Sequence, residues 1–305
     1  MKLEVQDLRK SFDGNEVLHG ISFSVKSGSA FGLLGRNGAG KTTTIRILMD
    51  VFKCDTGNLL LDGKPFDPKA QTIGYLPEER GLYPKKTVNE QLQYMGMLRG
   101  LTRKEAKQQT KKWLERLDVL EYENRKLETL SKGNQQKVQL AQTLLCEPNL
   151  IILDEPFSGL DPVNAQILKD VIREQINEGK IIIFSSHQMS QVEEFCDDIA
   201  ILNHGDLVLS GNLKDIKLAF GKHHLVLSSL SLTPKEVAEH LKEHYFDFVE
   251  VEKIQPHQVI VKTLVDDAKH LMMQRLAQEA FDLEFFGLYE PSLQDIFVEK
   301  AGDGE

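Results

Sequence analysis

Gly35-Arg36-Asn37-Gly38-Ala39-Gly40-Lys41-Thr42 carries the strongest chemical pattern in the chain. It fits G-x-x-x-x-G-K-[ST], a loop whose glycines let backbone N–H groups close on phosphate oxygens. Lys41 has the length and charge to reach β- and γ-phosphates. The Thr42 hydroxyl suits Mg²⁺. The pattern needs a buried strand before it and a helix after it. Ala30–Leu34 is apolar, and Thr43–Met49 reads as the first turns of a helix, so both are present. The helix N-terminus adds the positive end of its dipole.

Two further stretches offer chemistry. In Leu150-Ile151-Ile152-Leu153-Asp154-Glu155, four apolar residues end in two carboxylates. That places Asp154 at the C-terminal end of a buried strand, the edge where open α/β sheets bind ligands. Asp154 suits a metal ion, and Glu155 suits orienting or deprotonating a water. In Leu130-Ser131-Lys132-Gly133-Asn134-Gln135, Ser131 reads as the N-cap of a helix through Val138, Leu140, Ala141 and Leu144. Its exposed N–H groups make a second anion site.

These residues need a frame. Lys2–Val5 and Val17–Val25 alternate as strands around the turn Asp13-Gly14, and Leu59–Leu61 with Asp62-Gly63 reads as a hairpin. An antiparallel patch therefore flanks the loop. Residues 87–128 change to helical periodicity, through Leu92, Met95, Leu98, Trp113, Leu114, Leu117 and Leu120. Strands return at Leu150–Leu153, Ile181–Ser185, Ile199–Leu202 and Asp206–Ser210. Gln188–Cys196 reads as a helix, and His204-Gly205 as a turn.

With the three motifs in this order, residues 1–218 resemble the nucleotide-binding subunits of ATP-binding-cassette (ABC) transporters. The resemblance implies a P-loop ATPase cassette with a RecA-like α/β core, an antiparallel β patch and a helical subdomain at about 85–138. It implies ATP and Mg²⁺ as ligands. Phe12 matches the aromatic that stacks on adenine. Residues Gly35 to Thr42, with Thr43, match the triphosphate contacts. Leu130–Gln135 is similar to the family signature, so Ser131, Gly133 and Asn134 would meet the nucleotide of a second copy. Ser158-Gly159-Leu160-Asp161 looks like the D-loop, and Ser185-Ser186-His187 like the switch histidine. Catalysis would rest on Glu155, His187 and Lys41, and the metal on Thr42, Asp154 and Glu78. Glu78 stands where the family usually has a glutamine. Lys132 and Asn134 also depart from the signature, which leaves ATP binding secure and the turnover rate open.

Residues 219–305 read as a separate unit, strand–helix–strand–strand–helix–strand–helix, with capping boxes at Thr233–Glu236 and Ser292–Asp295. The β-α-β-β-α-β order suggests a ferredoxin-like module. It resembles the C-terminal accessory domain of a bacterial subgroup of these ATPases, the sodium- and drug-efflux types. The runs Glu290–Phe297 and Leu76–Tyr83, the latter including Arg80, have that subgroup's look. His240 and His244 have the i,i+4 spacing of a metal pair, a spacing also common in exposed histidines with no ligand.

Composition agrees with this reading. The 305 residues carry a net charge of −9, against an extended nucleic-acid face. The charge is uneven: residues 85–137 hold 13 Lys/Arg against 7 Asp/Glu, and residues 219–305 hold 8 against 16. No apolar run approaches the ~18 residues of a membrane span, and the chain opens on a strand, not a signal peptide. Cys54, Cys146 and Cys196 lack metal spacing and suit reduced thiols. The expected protein is an ATPase subunit of an exporter. It would pair as a homodimer or with another cassette, and sit at the cytoplasmic face of the membrane through separate permease subunits. The rivals are a soluble ABC ATPase acting on nucleic acid or ribosomes, and a non-catalytic ATP-binding regulator.

Overall fold

The computed structural model describes residues 1–79 and 81–302; Arg80 and residues 303–305 lie outside the described residues. In chain order the elements are β1 (Lys2–Phe12), β2 (Asn15–Lys26), β3 (Ser29–Gly35), α1 (Lys41–Leu48), β4 (Thr56–Leu61), β5 (Lys64–Pro65) and β6 (Ile73–Leu76). Then come α2 (Val88–Leu98), α3 (Arg103–Arg116), α4 (Lys132–Leu144), β7 (Leu150–Asp154), α5 (Pro162–Asn177), β8 (Ile181–Ser185), α6 (Met189–Phe195), β9 (Cys196–Asn203) and β10 (Asp206–Asn212). The remainder is α7 (Leu213–Gly221), β11 (His224–Ser229), α8 (Pro234–His244), β12 (Val249–Ile254), β13 (Val259–Thr263), α9 (Ala268–Gln278), β14 (Leu283–Leu288) and α10 (Leu293–Ala301). Two compact units divide the chain: Met1–Leu213 with a few residues at the end of α10, and Lys214–Glu299.

The first unit is built on a sheet of order β10-β9-β3-β8-β7-β6 among the described residues. β9, β3, β8, β7 and β6 run parallel, and β10 closes one edge antiparallel. Every residue of β7 and β8 is buried. Parallel strands covered on both faces demand such unbroken apolar runs, which Ile181-Ile182-Ile183-Phe184 supplies. The register aligns Leu33 with Ser185 and Ser185 with Asp154, so these strands end at one edge. An antiparallel sheet, β2-β1-β4-β5, shares its core: Leu3, Val5, Leu18 and Ile21 pack with Phe31, Ile152 and Ile183.

The helical stretch expected over 87–128 is two helices and irregular chain. Capping boxes at Thr87 and Thr102 start α2 and α3. The α3 helix stops at Leu117 because Asp118 turns left-handed, at φ 54°. Leu120 therefore lies on a short 3-10 turn. Leu98, read as a core position, is 64% exposed, since the wide side of α2 opposite α3 is uncovered.

The second unit has the sheet order β12-β13-β11-β14, each neighbour antiparallel, the arrangement that the β-α-β-β-α-β order demands of a ferredoxin-like sheet. One face carries Leu225, Leu227, Val259 and Val261 against Val237 and Leu241 of α8 and Met272 and Leu276 of α9. In α10, Leu293 and Ile296 are fully buried and Val298 is exposed. His240 lies beside His244, and its Nε2 meets Glu279 Oε2 at 3.1 Å.

Phe184 tests the central packing. It is fully buried on β8, with its ring stacked on Phe195 at 6.0 Å and tilted to Phe157 at 5.6 Å. Phe184→Ala should cost about 3–5 kcal/mol of first-unit stability, read from urea unfolding.

Candidate active site

The sheet edge gathers four loops. Residues 36–40 follow β3, Pro77-Glu78 follow β6, Glu155 follows β7 and Ser186-His187 follow β8. Gly40 is the N-cap of α1 at φ 105°, and a Cβ there would stand 2.6 Å from Leu18 Cδ2, so only glycine fits. No side chain caps α1 and no acid lies in its first turn, which leaves that helix end suited to an anion. Lys41 Nζ donates to the carbonyls of Gly35 at 2.6 Å and Arg36 at 3.1 Å, folding across its own loop. Burial lowers the Lys41 pKa, opposed by the charges of Glu155, Asp154 and Glu78.

Asp154 is buried at the strand end. Burial raises its pKa, and the neighbouring Glu155 adds to that rise. Its Oδ2 accepts from the Tyr75 hydroxyl at 3.4 Å. The Tyr75 pKa is itself pushed up to about 12, by burial and then by the Asp154 charge, so the phenol remains a donor.

Glu155 is held from three directions. Its N–H donates to Ser185 O at 2.9 Å, and its backbone is left-handed, at φ 48°. Oε1 accepts the His187 backbone N–H at 2.6 Å and lies 2.6 Å from His187 Nδ1. Oε2 accepts from Ser186 Oγ at 2.9 Å. Thus the carboxylate is buried while the His187 imidazole is 63% exposed. Thr42, Tyr75, Glu78 and Asp154 line one open cleft of about 980 Å³.

A second group stands on two helix N-termini. Ser131 caps α4 by accepting from Asn134 N–H at 3.3 Å. Asp161 caps α5, accepting from Val163 and Asn164 N–H at 3.1 and 3.0 Å, and the Asn164 bonds hold its carboxyl below the usual range. A Cβ on Gly133 would meet Asn164 Nδ2 at 2.7 Å, so the two helix starts touch. Phe12 stands apart at the end of β1, its ring edge-on to Phe52 at 5.1 Å.

Sequence reading missed the side chains that tie these parts together. Gln139 Nε2 donates to Pro77 O at 3.2 Å and Glu79 O at 3.3 Å, bracketing Glu78. Gln136 Nε2 donates to Pro156 O at 3.2 Å, just past Glu155. Thr143 Oγ1 donates to Tyr75 O at 3.1 Å. Buried polar residues three to four apart on one helix face were the available signal.

Comparison with known proteins agrees with this geometry. Residues 18–158 match the family model described as ABC transporter, and residues 211–301 match the ATP-binding protein DrrA1-3-like, C-terminal domain. The chain is 40% identical to the uncharacterized ABC transporter ATP-binding protein YhaQ of Bacillus subtilis, over 98% of each chain. It is 31% identical to the linearmycin resistance ATP-binding protein LnrL of the same organism, again over 98% of each. Among solved structures, an ATP-binding subunit of an ABC transporter is 33% identical with a TM-score of 0.66, covering 72% of this chain and 94% of that one. CbiO1 from Clostridium perfringens, described as part of the ABC transporter complex cbiONQ, is 26% identical with a TM-score of 0.63, covering 80% and 96%.

The raised Asp154 pKa has a stability consequence. An acid whose pKa is higher folded than unfolded weakens the fold once it is ionised. At neutral pH, Asp154→Asn should raise the melting temperature of nucleotide-free protein. The gain should shrink as pH falls through the Asp154 titration, because the wild-type carboxyl is then neutral too. Thermal scans of both proteins across acid to neutral pH check this.

Proposed function

The chain belongs to the ATP-binding subunits of ABC transporters, and from that premise we propose that it powers an exporter of the drug- or sodium-efflux type through separate permease subunits. Its first unit has the ABC ATPase cassette fold, and the family is one of ATP-binding ATPases. Two likenesses support the export reading: the DrrA-like match of residues 211–301 and full-length similarity to a linearmycin resistance protein. No described helix is long and apolar enough to cross a membrane; in this reading the permease subunits supply the transport path. The cleft beside Glu78 and the uncovered Tyr94, Met97 and Leu98 of α2 are the surface we assign to the permease. The protein would then work at the cytoplasmic face of the membrane.

The observation that carries the catalytic reading is the clamp on Glu155. A buried carboxylate with both oxygens held beside Asp154, at the mouth of the phosphate loop, is oriented before substrate arrives. Lys41 and the open start of α1 would hold the triphosphate. Glu155 would take the proton of the attacking water as its oxygen bonds the γ-phosphorus and ADP leaves. His187, bridged to Glu155 and still exposed, would stand beside the γ-phosphate. Thr42, Asp154 and Glu78 are oxygen donors lining one cleft, which fits a hard divalent cation. Mg²⁺ bound there would neutralise phosphate charge.

Ser131, Gly133 and Asn134 form a group of their own around the α4 N-terminus. We therefore assign them, with Asp161, to the nucleotide of a second copy, the two cassettes pairing head to tail. Binding would close the pair and hydrolysis would open it. The strap from Gln139 would carry that change to the loop of Glu78, and that from Gln136 to the chain just past Glu155.

Glu155→Gln should bind ATP, hydrolyse it at least ~10²-fold more slowly and accumulate as a dimer. Light scattering and phosphate release, with and without the co-purified membrane partner, test this. Near-wild-type turnover would remove Glu155 from the role. Residues 222–305 are proposed to fold alone and to strengthen pairing. Their deletion should leave ATP affinity nearly unchanged and weaken dimerisation; loss of all nucleotide binding would move the domain boundary.

A further inference from the structure

The phosphate loop is braced from the side opposite Glu155. β2 runs against it, with Leu18 filling the space a Gly40 side chain would need. The turn between β9 and β10, His204-Gly205, reaches the same place. Gly205 N–H donates to Ala39 O at 3.2 Å, and Gly205 O accepts the His19 N–H at 3.0 Å. A single residue thus links β2 to the loop. Gly205 sits at φ +87°, and a Cβ there would lie 2.6 Å from Val17 O and 3.1 Å from the His19 ring. The next residue, Asp206, turns back so that its Oδ2 lies 3.2 Å from His19 Nδ1. His19 Nε2 lies 3.3 Å from Glu16 O.

We propose that Gly205, held by the His19–Asp206 pair, is a positioning residue for ATP binding that orients the Ala39–Gly40 peptide of the phosphate loop. The inference rests on the reading that residues 35–42 hold the triphosphate. Its physical basis is the planarity of the peptide bond. The carbonyl of Ala39 and the N–H of Gly40 belong to one rigid trans unit and point opposite ways. Anchoring the carbonyl on Gly205 aims the Gly40 N–H away from the turn, toward the start of α1. A displaced turn would rotate that unit and misdirect a donor, without touching Glu155, Asp154 or His187.

The brace is titratable. The groups facing His19 are Asp206 on β10, Glu16 on β2 and Arg9 opposite on β1. The hydrogen bond to Asp206 raises the His19 pKa, with Glu16 adding to it. A raised histidine contributes its charged pair at low pH and loses it as pH climbs through the folded pKa. Apparent ATP affinity should therefore weaken as pH climbs through a folded pKa that lies above the ordinary histidine value.

Steady-state ATPase assays on the full chain test this, with KM and kcat separated and melting temperatures taken without nucleotide. Gly205→Ala should raise the KM for ATP about 5–10-fold, the scale of one lost hydrogen bond, with kcat within twofold. Asp206→Asn leaves the backbone intact. It should raise KM about two- to threefold at pH 6.5 and remove the pH dependence of KM expected of the wild type from His19. Lys41→Ala is the control for the loop itself. If Lys41→Ala keeps wild-type ATP affinity, the phosphate-loop reading has failed. If Lys41→Ala weakens binding but Gly205→Ala changes only kcat or melting temperature, the turn is merely structural and the inference is overturned. Should Gly205→Ala not fold, Asp206→Asn decides alone: a wild-type KM at every pH overturns the proposal.

Discussion

The alignment of three parallel strands is the constraint on which the site depends. Ser185 of β8 is paired with Leu33 of β3 on one side and with Asp154 of β7 on the other. That register brings the glycine-rich loop of residues 35–42, the paired carboxylates Asp154 and Glu155, and His187 to a single edge. It is held by packing against both faces, since every residue of β7 and β8 is buried. The positions of these strand ends are thus set by an apolar core.

On this edge the polar groups hold each other. Glu155 takes a left-handed backbone conformation, and its carboxylate is buried, both unfavourable features if unsupported. The N–H of His187 and the hydroxyl of Ser186 support it from the adjacent strand. Asp154 has less compensation, and its raised pKa shows what burial costs there. A site that is costly while empty and relieved by a cation or a phosphate partner gains affinity from the difference.

The helix α4 ties this edge to the group around Ser131. Ser131 caps its N-terminus, and farther along the same helix Gln136 and Gln139 grip the loops after β7 and β6 while Thr143 bonds β6 itself. Side-chain amides donating to carbonyls leave no charge to desolvate and give fixed direction. Gln139 thus fixes the backbone on either side of Glu78 to the same helix that Ser131 caps. The second unit needs none of these links for its own core, which is closed by α8 and α9.

Much of the fold was determined by the sequence alone, because the rules involved are local. Glycine at Gly40, the capping box at Thr233, the reciprocal bonds of Ser292 and Asp295, and the apolar runs ending in Asp154 and Ser185 each depend on a few neighbouring residues. They marked the strand–loop–helix, the antiparallel patch and the strand and helix order of the tail. They also marked the residue types at the sheet edge. What only the tertiary structure decided were the bonds between distant segments. Glu155 meets His187 across 32 positions, Gln139 meets Pro77 across 62, and the turn at Gly205 meets Ala39. The exposure of Leu98 belongs to the same class. Periodicity reports that a helix has an apolar face, but which neighbour covers that face, and where cover runs out, is set by how whole elements pack.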